Sequence, residues 1–331
     1  MILSICLSAL AFAQPAQATD TTRVVVVATT DVHGRATAWE DDGRTPFGGG
    51  LTRVATVMDS LRKRYPGQVV LVDAGDLIQG NAFAGHFARA PQRPNPVIDA
   101  MNALAYDAAT LGNHEFNFGL DFLRITLSDA AYPYVTANVI TLPNQRTMFR
   151  PEVVLKRGAV RVGITGFTTP GVMVWDGDSV KGRVQVQRIG DVAPATLARL
   201  RRSSDVSIVL IHSGMGGASS YDTTGVGPEN VAASLAELPD APDLVVVGHS
   251  HRETRDTVIG KTHFVQPRNW AQSLTVTHLL LVNERSTWRV ARVQADLVPL
   301  AGVVPQTRLE QRLSPIDRKS TRLNSSHPYR S

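Results

Sequence analysis

The chain has 331 residues, 43% of them hydrophobic, enough to bury a large core in one large or two small domains. Its net charge of +5 gathers at the end, where Arg318, Lys319, Arg322 and Arg330 stand against Asp317 alone. The remainder is nearly balanced and has no basic cluster interleaved with aromatics, which argues against a nucleic-acid polymer as partner.

From the N-terminus, residues 2–13 form an apolar run too short to span a bilayer, followed by Ala16-Gln17-Ala18, an A-x-A type cleavage site. Residues 1–18 therefore read as a signal peptide, which predicts a periplasmic or secreted product; a buried N-terminal strand is the alternative. The sole cysteine, Cys6, lies inside this run. The mature chain then has no disulfide and no thiol chemistry. No later segment is apolar for long enough to cross a membrane.

Residues 23–29 (RVVVVAT) are a β-branched run without a polar break, as in a strand covered on both faces. Similar runs recur at 68–72, 160–165, 206–211 and 244–247. Helical periods lie between them: Leu51, Val54, Met58 and Leu61; then Val97, Ile98, Met101 and Leu104; then Val231, Leu235 and Leu238. Strands alternating with helices predict an α/β sandwich. The style changes near the end, where residues 274–282 and 288–298 read as a hairpin around Asn283-Glu284-Arg285.

The residues that follow the strands carry the chemistry. Asp31-Val32-His33 follows the first, Gly75-Asp76 the second, and Gly112-Asn113-His114-Glu115 the strand near 110. His212 follows the run 206–211, and Gly248-His249-Ser250-His251 follows 244–247. Five strand ends thus deliver Asp, Asn or His, at the place where α/β folds bind ligands. Any one of these residues alone is most simply a cap or a satisfied polar group; all of them together are not. Carboxylate, imidazole and amide oxygen suit a borderline or hard divalent ion. Seven such groups exceed one tetrahedral shell and suit two ions about 3.5–4 Å apart. On an extended backbone the two-residue spacing would put Asp31 and His33 on one side.

D-x-H, G-D, G-N-H-E, H and G-H-x-H in this order resemble the calcineurin-like metallophosphoesterases. Gly49-Gly50-Leu51-Thr52-Arg53, the run 75–80 (GDLIQG), Ala137-Asn138-Val139 and the run 166–170 (GFTTP) are similar to the branch of 5′-nucleotidases and 2′,3′-cyclic-nucleotide phosphodiesterases. The likeness covers roughly residues 23 to 300. It implies a four-layer α/β/β/α sandwich and a domain over residues 19–305. It also implies two divalent metal ions of the Mn, Zn, Fe or Co type. Asp31, His33, Asp76 and His251 would hold one; Asp76, Asn113, His212 and His249 the other. A metal-bridging hydroxide would attack phosphorus, and His114 would stabilise charge or protonate the leaving alkoxide. In the 5′-nucleotidase relatives an Asp three residues after this His orients it. Here that position is Asn117, which cannot supply the negative charge; the cyclic phosphodiesterase relatives tend to carry Asn there too, and that resemblance tilts the reading towards diester hydrolysis. Arg53 is a candidate for substrate phosphate, or equally for an ion pair at a helix start. Trp39, Trp175 and Trp270 read first as packing residues, with the rim of a cleft as the alternative.

The implied substrate is a nucleotide or another small phosphate ester, hydrolysed by a monomer. Three readings stay open: a 2′,3′-cyclic nucleotide phosphodiesterase and 3′-nucleotidase, a 5′-nucleotidase or broad phosphomonoesterase, and a non-catalytic binding module. The last predicts eroded ligands, and all seven are present. Relatives continue through a helical linker into a nucleotide-binding domain. Residues 306–316 are expected to start that linker, and 317–331, polar and aperiodic, to be a disordered or artefactual tail.

Overall fold

The computed structural model describes residues 20–324 except 41, 43 and 44; the expected signal peptide lies outside these residues, as do positions 325–331. In chain order the first strands are β1 (Thr21–Thr29), β2 (Val69–Asp73), β3 (Ala108–Ala109), β4 (Val139–Thr141), β5 (Arg146–Thr147), β6 (Glu152–Arg157) and β7 (Val160–Thr168). They continue with β8 (Val184–Val186), β9 (Val206–His212), β10 (Leu244–Val247), β11 (Thr254–Ile259), β12 (Thr262–Gln266), β13 (Ser273–Glu284) and β14 (Thr287–Pro299). The helices are α1 (Leu51–Arg64), α2 (Ala82–Arg89), α3 (Pro96–Leu104), α4 (Gly119–Leu127), α5 (Val172–Trp175), α6 (Gly177–Val180), α7 (Ile189–Ser203) and α8 (Thr307–Asn324).

Two large sheets dominate, ordered β14-β13-β1-β2-β3 and β11-β12-β10-β9-β7-β6; a small third sheet, β5-β4-β8, stands apart. Each large sheet has parallel strands at its centre: β1, β2 and β3 in one, β7, β9, β10 and β12 in the other. Within the apolar runs the side chains still alternate. Val24, Val26 and Ala28 of β1 meet Ile208 and Leu210 of β9 between the sheets. Val25 and Val27 turn outward onto Leu51, Val54 and Met58 of α1 and Met101 of α3. On the far side Val209, Ile211 and Val245 pack against Ile189 and Leu197 of α7. The result is the expected four-layer α/β/β/α sandwich. Its inter-sheet core is a cluster of buried aliphatic side chains, so Ile208→Ala is expected to cost about 2–5 kcal/mol.

Several local expectations are corrected. The hairpin turns at Arg285-Ser286, because Glu284 pairs with Thr287 and both turn residues have positive φ, the twist that a two-residue hairpin loop requires. The third helical period forms only a 3₁₀ segment, Ala232–Glu237. The segment expected to start a linker packs against the domain: Leu309 and Leu313, one turn apart on α8, are buried in the core under α1–α3. Glu310 binds Trp39 Nε1 and Thr52 Oγ1 at 2.8 and 2.6 Å. α8 includes Pro315 and runs on to Asn324, into the stretch expected to be unstructured.

Candidate metal centre

The central parallel strands of both sheets end at one place, and their following residues meet there. Asp31 and His33 converge as expected, His33 Nε2 lying 4.0 Å from Asp31 Oδ1, but not on extended backbone. Both have positive φ (50° and 49°), as do Asp76 (61°), His249 (75°) and His251 (52°). Left-handed backbone costs an L-residue about 1–2 kcal/mol. Five of the seven candidate ligands accept that strain at one site, a pattern characteristic of functional residues.

Two tight groups form, Asp31–His33–His251 and Asp31–Asp76–His212, with their ligand atoms within 4.8 Å of one another. Asp31 is common to both, whereas the sequence pointed to Asp76 as the bridge. Asp76 Oδ2 nevertheless lies 2.9 Å from His212 Nε2 and 3.9 Å from His33 Nε2, so it also faces both groups. Asn113 and His249 stand beside these groups and meet each other, Oδ1 to Nδ1, at 3.0 Å.

Three imidazoles are aimed by a tether on the other ring nitrogen. His33 Nδ1 donates to the Gln79 carbonyl and His212 Nδ1 to the Ala74 carbonyl, each at 2.8 Å. His249 Nε2 donates to Glu229 Oε1 at 2.7 Å. These tethers leave His33 Nε2, His212 Nε2 and His249 Nδ1 as lone-pair donors pointing inward, the arrangement that metal-binding histidines need. His212 Nε2 is buried, and despite its nearness to Asp76 it has no hydrogen bond of acceptable geometry. His33 Nε2 also meets His251 Nε2 at 3.1 Å. Converging lone pairs, two buried carboxylates and an amide oxygen fit divalent cations with nitrogen and oxygen preference.

The electrostatics agree. Burial would raise the Asp76 carboxyl, but the charge of His212 and then of His114 and His33 holds it well below the usual carboxylate range. Burial opposes charge on His212, but Asp76 and then Asp31 favour positive charge at its Nε2, on the side where a cation would sit. The centre is therefore an anionic pit that stabilises positive charge on whatever sits in it.

Glu115 organises the loops. Its buried carboxylate accepts from the backbone amides of Gly112, Asp76, Leu77 and Ile78, binding the two ligand-bearing turns together. Gly112 is required there, since a Cβ would lie 2.0 Å from Asp76 Oδ1.

At the rim, His114 is 37% exposed, with Nε2 4.0 Å from Asp76 Oδ2. Its Nδ1 lies 2.6 Å from Asn117 Oδ1, and Asn117 Nδ2 donates to Asp176 Oδ1 at 2.9 Å. Trp175 tilts over the His249 ring with centroids 5.6 Å apart, braced edge-on by Tyr221, and remains 39% exposed. Its indole fits only because residue 171 is glycine; a Cβ there would be 2.3 Å from the ring. A cavity of about 550 Å³ opens beside His249, lined by the 214–218 loop, Glu229, Ser250 and Arg252.

Two other tryptophans and Arg53 are placed elsewhere. Trp39 binds α8 through Glu310, and the Trp270 ring packs on Phe47 and Arg35. Arg53 gives its guanidinium to the Phe47 and Val303 carbonyls and so braces the start of α1; among the described residues it makes no ion pair. Glu229 and Asp176 escaped sequence reading. Both lie in loops with no strand before them, and each finds its partner across a long stretch of chain.

A family model described as calcineurin-like phosphoesterase matches residues 24–253. The chain is 32% identical to the trifunctional nucleotide phosphoesterase protein YfkN of Bacillus subtilis (strain 168), over 92% of this chain and 22% of that protein. It is 33% identical to the 2′,3′-cyclic-nucleotide 2′-phosphodiesterase/3′-nucleotidase of Haemophilus influenzae, over 83% of this chain and 45% of that protein. It thus spans less than half the length of these two curated relatives. The crystal structure of calcineurin-like phosphoesterase YfkN from Bacillus subtilis superposes with a TM-score of 0.82 at 29% identity, covering 92% of this chain and 99% of that one. A putative 5′-nucleotidase from Staphylococcus aureus, at 24% identity, shares the fold with a TM-score of 0.73, over 89% of this chain and 58% of that one.

Proposed function

This chain belongs to the calcineurin-like phosphoesterase family, and on that premise we propose that it hydrolyses phosphate esters of nucleotides, with 2′,3′-cyclic nucleotides and 3′-nucleotides as the preferred class. The observation that carries the reading is the convergence of Asp31, His33, Asp76, Asn113, His212, His249 and His251, with ring nitrogens tethered so that their lone pairs face the two carboxylates. These seven would hold two divalent cations of the Mn, Zn, Fe or Co type. When bound, such cations polarise phosphoryl oxygens and acidify water.

The chain's own residues do the rest. The buried carboxylates Asp31 and Asp76 set the charge of the pit, so that only a cationic filling accepts a phosphate beside them. His114 presents Nε2 to the phosphate from the rim and hands a proton to the leaving oxygen as the P–O bond breaks. Trp175, exposed next to His249, offers a flat apolar face on which a base can stack. The cavity beside His249 gives a nucleoside room. Asn117 in place of Asp supports diester substrates, and the printed name of the Haemophilus influenzae relative joins a 2′,3′-cyclic diester with a 3′-monoester activity.

The apolar run 2–13 and Ala16-Gln17-Ala18 support export. Among the described residues no helix is long and apolar enough to cross a membrane.

The test is hydrolysis by the Mn²⁺-loaded chain of 2′,3′-cyclic AMP, 3′-AMP, 5′-AMP and the model esters bis-p-nitrophenyl phosphate and p-nitrophenyl phosphate. Cyclic-diester turnover above 5′-AMP turnover is expected. Preference for 5′-AMP would move the assignment to a 5′-nucleotidase, and no metal-dependent turnover of any of them would overturn it.

A further inference from the structure

Asn117 raises a question of direction. A side-chain amide has a donor end and an acceptor end of nearly the same shape, so its contact with His114 can run either way. With Oδ1 towards the ring, His114 Nδ1 must carry a proton and Nε2 is free to take up and release one. With Nδ2 towards the ring, Nδ1 must be the bare nitrogen, and a doubly protonated ring would meet an N–H head-on. Only the first sense allows His114 to deliver a proton to a leaving oxygen and remain hydrogen-bonded before and after.

Asp176 decides the sense. Burial raises its carboxyl, and the Asn117 hydrogen bond and the His114 charge oppose that; as a carboxylate it accepts and cannot donate, and Oδ1 lies 2.9 Å from Asn117 Nδ2. The amide nitrogen is thereby held on the Asp176 side, and Oδ1 is left for His114 Nδ1 at 2.6 Å. Asp176 is itself fixed. It joins α5 to α6, its backbone N–H bonded to Val172 O and its carbonyl to the Ser179 and Val180 amides. It is 9% exposed, and its second oxygen, Oδ2, is buried without a hydrogen-bond partner. An acid held in that setting for packing alone would be poorly placed, since a buried carboxylate with an idle oxygen is costly.

We propose that Asp176 is a positioning residue for the reaction: through the Asn117 amide it fixes the Nδ1-protonated form of His114 and so presents Nε2 to the departing oxygen. The carboxylate that the 5′-nucleotidase relatives place directly on this histidine would here stand one side chain further out. The proposal rests on the reading of His114 as the proton donor. The step is simple. The P–O bond breaks, the leaving oxygen takes the Nε2 proton, and the ring is left neutral, its proton still on Nδ1 and hydrogen-bonded to Asn117 Oδ1.

The relay predicts a change of sign in a double-mutant cycle. Asp176→Ala frees the amide to turn and should lower kcat about 10- to 100-fold, with KM changed less than about threefold. Asn117→Asp in the natural background puts two carboxylates in contact and should also lower kcat. Asn117→Asp combined with Asp176→Ala leaves one carboxylate, able only to accept, and should recover most of the lost kcat. Asp176→Leu is the alternative to alanine if the cavity unfolds the loop, and melting temperature is recorded for all. A second readout does not need turnover. In the Zn²⁺-loaded chain labelled with ¹⁵N-histidine, the His114 resonances, identified by their loss in His114→Gln, should show protonated Nδ1 in the natural protein. They should shift towards protonated Nε2 in Asp176→Ala and return to protonated Nδ1 in the double variant. Folded Asp176 variants with natural kcat and unchanged tautomer would overturn the proposal, as would a double variant as slow as Asp176→Ala. If His114→Gln leaves kcat unchanged, it is the proton-donor reading that fails, and the tautomer spectra still judge the relay.

Discussion

On the floor of the site Asp76 is 1% exposed, and its carboxylate meets His212 and the backbone N–H of His114, while Glu115 locks its own backbone. On the rim His114 is 37% exposed, and its ring hangs from one hydrogen bond to Asn117. The floor is held redundantly and carries backbone strain at five residues; the rim is held by a single thread that ends on Asp176. Groups that fix charge can be rigid. A group that gives and regains a proton has to sit where substrate and water reach it. Floor and rim substitutions should therefore separate cleanly, with metal content lost in one class and kept in the other.

The largest effect is expected from Asp76→Asn, which removes a buried charge facing both ligand groups. Activity should fall by about a thousandfold or more, in line with the several kcal/mol that metal ions supply. Retained activity would break the distinction at its strongest point. His114→Gln comes next, with kcat lowered about 10²- to 10⁴-fold and metal content unchanged; loss of metal would move His114 to the floor. Glu229→Gln leaves every ligand in place but loosens the His249 tether. Metal affinity, followed by competition with a chelator, should weaken about 10- to 100-fold. Trp175→Ala should raise KM about tenfold for 2′,3′-cyclic AMP and leave ribose 2′,3′-cyclic phosphate, which has no base, unaffected. An equal change for both esters would remove Trp175 from substrate recognition.

The smallest effect on activity is expected from Asp73→Asn, beneath the floor. Burial pushes the Asp73 carboxyl up to about 8, against the hydrogen bonds from Thr29 and the Gly75 amide. The folded state thus favours the neutral acid. The stability this gives is complete below the ordinary carboxylate range and is lost as pH rises through about 8. Denaturant midpoints should fall between pH 5 and 9 in the natural chain and fall less in the variant; parallel curves would refute the buried-acid reading.

The strands and the floor were legible in the sequence because their signals are local. A β-branched run followed by Asp, Asn or His states both the strand and the ligand, and the order of the motifs identified the family. The rim and the supports were not legible. Asp176 reaches Asn117 across 59 positions and Glu229 reaches His249 across 20, with no motif at either end. The left-handed turns at Asp31 and His33 were hidden by a spacing that extended backbone would explain as well. Arg53 matched a family pattern, yet the carbonyls of Phe47 and Val303 claim it. The start of α8 was legible as the first turn of a linker helix, but its packing on the domain was hidden by its polar composition, with Leu309 and Leu313 buried among charged neighbours.

The most direct measurement is the metal content of the purified chain after Mn²⁺ loading and gel filtration, by elemental mass spectrometry, beside Asp76→Asn. Two ions per natural chain are expected, with both weakened in the variant because Asp76 faces both ligand groups. One ion or none in the natural chain, or two held as tightly by the variant, would contradict a paired centre built on these seven residues.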